Sequence, residues 1–96
     1  MTLYVIGYTW CTYFQDTCML LENSKIPFQK RFVQNRLELK SYVRELLKDR
    51  NVKGVYGATS PQILRDDGSK NVCIGGYDEL CGLGVENVLK WEPLTF

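Results

Sequence analysis

Four cysteines, Cys11, Cys18, Cys73 and Cys81, carry most of the reactive chemistry in this sequence, and there is no histidine to activate any of them. That excludes Cys-His and Ser-His-Asp arrangements and every metal site that needs imidazole. A cysteine here has to be activated by a helix terminus, a lysine or an arginine. Cys11 is so placed: it falls where a strand-like run, Leu3 to Tyr8, gives way to a helix-compatible stretch from Thr12. The unpaired N–H groups and positive dipole end of that helix would face its sulfur. Such a position favours thiolate over thiol, and thiolate is the nucleophile of disulfide exchange. The plainer role for a free cysteine is that of a small buried packing residue.

The other thiols are less well placed. Cys18 returns to nearly the same helix face as Cys11, but seven residues of helix separate the two Cα atoms by about 10 Å. A disulfide tolerates only about 4.4–6.8 Å. Cys18 is therefore expected as a core residue beneath Phe14, on a stripe with Leu21. Cys73 and Cys81 are expected to be structural thiols. No cysteine pair has the short spacing of zinc ligands, and no metal is expected.

The elements that must position Cys11 follow from periodicity. Leu3 to Tyr8 reads as a buried strand and Thr12 to Lys25 as a helix that Pro27 stops. Pro27 to Val33 reads as a second strand, parallel to the first after a helical crossover. Leu39, Tyr42, Val43, Leu46 and Leu47 repeat at helical spacing, and Asn51 to Ala58, with Gly54 and Gly57, reads as a loop. The segments 61–64 and 71–74 flank Asp67-Gly68, a hairpin signal. Asp78 would cap a last helix running to Lys90, which Gly82 and Gly84 weaken. The order β-α-β-α-β-β-α predicts an α/β domain, a four-stranded mixed sheet with helices on both faces.

At 96 residues the chain is the size of one domain, 1–96. Twelve lysines and arginines against eleven aspartates and glutamates leave no basic excess for nucleic acid. The start, MTLYVIGYTW, has no basic n-region or cleavage site, and no apolar run approaches the ~20 residues of a membrane span. A cytoplasmic protein with reduced thiols and no membrane association is expected.

Three segments carry a family resemblance: Trp10-Cys11-Thr12-Tyr13-Phe14, Thr59-Ser60-Pro61-Gln62-Ile63, and Asp67-Gly68 followed by Ile74-Gly75-Gly76-Tyr77-Asp78-Glu79-Leu80. On these, in this order, the chain from about Leu3 to about Leu89 resembles the glutaredoxins, of thioredoxin-like fold. The resemblance implies that Cys11 is the active-site cysteine and Tyr13 the aromatic between the two active-site positions. It implies a cis bond before Pro61, with the Ser60 backbone aligning the cysteinyl part of glutathione. Tyr77 and Asp78 would hold the γ-glutamyl end, a role a carboxylate fills by charge-assisted bonds to an ammonium.

The sequence departs from that pattern in three places. Phe14 stands where a second, resolving cysteine would be. Thr12 replaces the usual proline and does not match the Cys-Gly-Phe-Ser motif of iron–sulfur-carrying members. Tyr8 stands where the family has a lysine, for which Lys53 is a candidate substitute.

The resemblance thus implies a monomeric, glutathione-dependent oxidoreductase that reduces protein–glutathione mixed disulfides through Cys11 alone, with Trp10, Tyr13 and Phe14 walling the protein-substrate side. Glutathione is co-substrate, and glutathionylated or disulfide-bearing proteins are partners. The short Tyr4-Val5-Ile6-Gly7-Tyr8 start is also similar to phage and viral glutaredoxins that serve ribonucleotide reductase, which adds that enzyme to the implied partners. A single thiol is poorly suited to its two-cysteine reduction. The alternatives are a cluster carrier, in which two copies of Cys11 and two glutathiones ligate iron–sulfur in a homodimer, and a non-catalytic adaptor of the same fold.

Overall fold

The computed structural model describes residues 1–47, 51–53 and 59–92. Its elements are β1 (Thr2–Tyr8), α1 (Thr12–Asn23), β2 (Gln29–Val33), α2 (Arg36–Leu46), β3 (Asn51–Lys53), β4 (Gln62–Asp66), β5 (Lys70–Gly75), α3 (Tyr77–Leu83) and a 3-10 turn (Val85–Asn87). The sheet runs β2-β1-β4-β5-β3. β1 is parallel to β2 and antiparallel to β4; β5 is antiparallel to β4 and parallel to β3.

Alternation along the strands separates two cores, because successive side chains point to opposite faces. Leu3 and Val5 of β1, Ile63 of β4, and Val72 and Ile74 of β5 pack with Phe14, Cys18 and Leu21 of α1 and Leu80 of α3. Ile6, Leu64 and Cys73 point the other way, onto Leu39, Val43 and Leu47 of α2 and its C-cap. α1 and α3 therefore share one face and α2 holds the other. α2 starts where Asn35 Oδ1 accepts the Glu38 N–H at 2.9 Å, an N-cap that satisfies one orphan donor.

Three expectations are corrected. The segment assigned to a loop opens with β3, which pairs through Asn51–Lys53 with Lys70–Val72 and makes the sheet five-stranded. The rest of that loop, 54–58, lies outside the described residues. The last helix does not reach Lys90: Gly84, at φ 92°, ends it after Leu83. Its N-cap is Gly76 rather than Asp78, with Glu79 Oε1 accepting the Gly76 N–H at 2.8 Å.

The helix α1 also stops short of the expected Lys25. The Lys25 and Ile26 N–H groups bond back to Glu22 O and Leu21 O, both at 3.0 Å, with Lys25 at φ 59°. This is a Schellman closure with lysine where glycine is usual. Among the described residues no helix is long and apolar enough to cross a membrane.

Candidate functional site

Cys11 is the N-cap residue of α1, extended at φ −82° and ψ 120°. The Cys11 N–H bonds Tyr8 O at 3.1 Å, and its carbonyl accepts from Gln15 at 3.2 Å. Those two bonds turn the chain from β1 into α1 and leave the thiol at the mouth. The sulfur, expected to face the first-turn N–H groups, makes no capping bond to them; its S–H donates to Ser60 O at 3.6 Å instead.

Sheet register explains why Ser60 is there. Ile6 pairs with Gln62, so the residues before β4 lie level with the end of β1. The Ser60–Pro61 peptide bond is cis, as expected. Ser60 Oγ accepts the Tyr8 N–H at 3.1 Å and ties this turn to the strand that carries Cys11. Gly7 makes the approach possible: a Cβ there would sit 2.6 Å from both Phe14 Cδ1 and Ser60 Oγ. No feature of the sequence singled out Gly7 for this role.

A groove of about 300 Å³ opens beside this turn, lined by Tyr13, Thr59, Ser60, Pro61, Gly76, Tyr77, Asp78 and Glu79. All five residues expected to line the site besides Cys11, namely Tyr13, Ser60, Pro61, Tyr77 and Asp78, are in that set. Tyr13 and Tyr77 face each other with ring centroids 5.7 Å apart. Thr59, Gly76 and Glu79 were not singled out as binding residues, although Glu79, three residues after Gly76, carries the signal of a helix start. Gly75, at φ 117°, makes the turn into α3, and a Cβ there would meet Glu79 Oε1 at 2.7 Å.

The four cysteines are unpaired and differ in exposure. Cys18 is buried beside Phe14 and Leu21, as expected, and burial raises its thiol above the ordinary 9.0, offset in part by Lys30. Cys73, buried on the α2 face, is pushed up to about 11 by burial. Cys81 is not the structural thiol expected: it is exposed on α3. The Tyr77 phenol is raised above its ordinary 10.0, chiefly by the neighbouring Cys81 and to a lesser degree by the carboxylates Asp16 and Asp78.

The aromatic wall is also corrected. Phe14 is 2% exposed, with its ring edge-on to Phe32 at 5.4 Å, so it belongs to the core. Trp10, 70% exposed, stacks on Tyr8 at 4.9 Å and forms the outer wall with Tyr13. Tyr8 is thus engaged with Trp10. The side chain of Lys53, the expected substitute for a lysine at position 8, lies outside the described part of the structure. Among the described residues no three His, Cys, Asp or Glu side chains are grouped to hold a metal ion.

No family model, curated protein or solved structure matches this chain.

Proposed function

We propose that this protein is a thioredoxin-like domain of the glutaredoxin kind, a glutathione-dependent oxidoreductase that reduces mixed disulfides through Cys11 alone. The observation that carries the reading is the Cys11 thiol at 3.6 Å from the carbonyl before a cis-proline, with that same Ser60–Pro61 turn and Asp78 lining one groove. A nucleophile, a backbone edge for a cysteinyl residue and a carboxylate for an ammonium follow one another in the order glutathione would need.

In this reading the Cys11 thiolate attacks the glutathione sulfur of a protein–glutathione disulfide. The Cys11–glutathione bond forms, the original disulfide breaks, and the protein leaves as a thiolate that takes up a proton. A second glutathione thiolate then attacks the glutathione sulfur on Cys11. Oxidised glutathione leaves and Cys11 is restored. Over the cycle the incoming glutathione sulfur is oxidised from thiol to disulfide as the protein sulfur is reduced from disulfide to thiol, and the glutathione sulfur delivered with the substrate stays in a disulfide throughout. No second cysteine is needed, consistent with Phe14 in the resolving position and Cys18 buried. The protein would work as a soluble monomer in a reducing compartment.

The test is glutathione-dependent turnover of the mixed disulfide of 2-mercaptoethanol and glutathione. Turnover by the wild type and by Cys18→Ser, lost in Cys11→Ser, is the expected result. Rapid conversion of the Cys11 adduct to a Cys11–Cys18 disulfide would replace the single-thiol cycle. A coloured protein with iron–sulfur absorbance would favour the cluster carrier, and a Cys11 that alkylates like a free thiol, without turnover, the adaptor.

A further inference from the structure

The net charge of +1 conceals a division of charge between the two faces. The elements on the Cys11 face, α1, α3 and the 3-10 turn, carry Asp16, Glu22, Asp78, Glu79 and Glu86 and no lysine or arginine. On the other face α2 carries Arg36, Lys40 and Arg44 against Glu38 and Glu45. Lys30 of β2 lies 3.9 Å from Glu22, and Lys90 follows the 3-10 turn by three residues. Lys25 follows the far end of α1, about 18 Å along the helix from Cys11.

A second feature points the same way. Trp10 and Tyr13 expose their rings, 70% and 56%, on either side of Cys11 in the sequence. An exposed indole or phenol face attracts an ammonium or guanidinium group and offers little to a carboxylate. Asp16, five residues after Cys11 on α1, and the exposed rings of Trp10 and Tyr13 therefore stand on the same side of the sheet as the thiol, and both are complementary to positive charge.

We infer that the disulfides served by Cys11 are carried on basic protein segments, in which lysine or arginine flanks the glutathionylated cysteine. The inference rests on the exchange reading above and adds the class of protein substrate. The glutathionyl half occupies the groove between Tyr13 and Asp78. The protein half leaves across Trp10 and the exposed turns of α1, where Asp16 supplies the charge. Steering by such a face acts on encounter, so it shows in kcat/KM at low ionic strength and is screened by salt.

The experiment compares three glutathione mixed disulfides: 2-mercaptoethanol, a peptide with lysines beside its cysteine, and the same peptide with glutamates. Each enzymatic rate is divided by the uncatalysed rate with glutathione, because flanking charge also changes the leaving thiol. The lysine peptide is expected to exceed the glutamate peptide by about tenfold at low salt. The preference should approach unity at roughly 0.5 M salt, where the screening length falls to about 4 Å. Asp16→Lys should cut the preference severalfold once each rate is divided by that on the 2-mercaptoethanol disulfide, whose glutathionyl half carries the same negative charge.

Equal rates for the two peptides, with the 2-mercaptoethanol disulfide turned over, would overturn the inference and leave the exchange reading standing. A preference that survives both high salt and Asp16→Lys would overturn it as well, since contact rather than charge would then select the peptide. No turnover of the 2-mercaptoethanol disulfide would remove the exchange reading and this inference together.

Discussion

Cys73 is 3% exposed on the α2 face, and burial, which disfavours a thiolate, holds it at about 11 against the ordinary 9.0. Because the folded value is the higher one, its contribution to stability is complete below about pH 9 and is lost as pH rises through about 11. Two units correspond to about 2–3 kcal/mol. Between pH 8 and 11 the melting temperature of the wild type should therefore fall more steeply than that of Cys73→Ala. Parallel curves would show that the thiol is not held neutral by the fold. At Asp78 the structure separates binding from capping, because Gly76 is the N-cap. Asp78→Ala should raise the KM for glutathione by about 1.5–3 kcal/mol in binding terms, the range of bonds to charged groups, with the melting temperature unchanged. A fall in melting temperature with constant KM would make Asp78 a structural residue. The placement of Cys11 was legible in the sequence because a strand-to-helix junction marks it. Tyr13 and Asp78 were reached only through the family resemblance, and local pattern put the helix start at Asp78 instead of Gly76. The exposure of Cys81 was not legible, since it depends on which side of a seven-residue helix meets the sheet.

The two ends of α1 show how far pattern reaches at the scale of an element. Its start was legible from Tyr8-Thr9-Trp10-Cys11, where strand composition stops. Its end was not, because Lys25 takes the left-handed conformation that glycine would have advertised. Lys25→Gly should accordingly stabilise the protein by about 0.5–1 kcal/mol, the left-handed penalty of a side chain less the added chain entropy of glycine. A loss of stability on denaturant titration would mean that Lys25 contributes more by contact than it costs in conformation. Gly7 predicts the reverse. With a Cβ 2.6 Å from Phe14 and from Ser60, Gly7→Ala must push α1 or the cis-proline turn away from β1. It should cost about 1–3 kcal/mol, as overpacking does, and slow Cys11 exchange with it. Gly7→Ala with wild-type stability and rate would show the junction to be loose. Strand β3 escaped the sequence reading because three residues, Asn51–Lys53, are too few to show alternation, and only pairing with β5 makes them a strand.

At the scale of the whole molecule, one buried arginine ties the sheet to the chain beyond α3. Arg65, in β4 and 2% exposed, donates from Nε to Asp67 Oδ1 at 2.9 Å, from Nη2 to Oδ2 at 3.0 Å and from Nη1 to Val88 O at 2.9 Å. Lys70 pairs with Glu92 nearby, and Trp91 packs on the core between these two ties. Local sequence could not reveal this, since Arg65 falls just beyond the segment 61–64 read as a strand, which in the structure runs on to Asp66. Because Val88 follows α3 and its 3-10 turn closely, the arginine also holds the helix that carries Tyr77 and Asp78 against the sheet. Arg65→Leu leaves the Asp67 carboxylate and the Val88 carbonyl without their donor and should cost about 3–5 kcal/mol, as breaking a buried pair does. Arg65→Lys keeps the charge without the planar fork and should fall between. In a Trp10→Phe background Trp91 is the sole indole. Its emission should shift to the red in Arg65→Lys, with a higher KM for glutathione and an unchanged alkylation rate at Cys11. If the emission and the KM stay where they are while stability falls, the arginine stabilises the sheet alone and α3 is held by its own packing through Leu80.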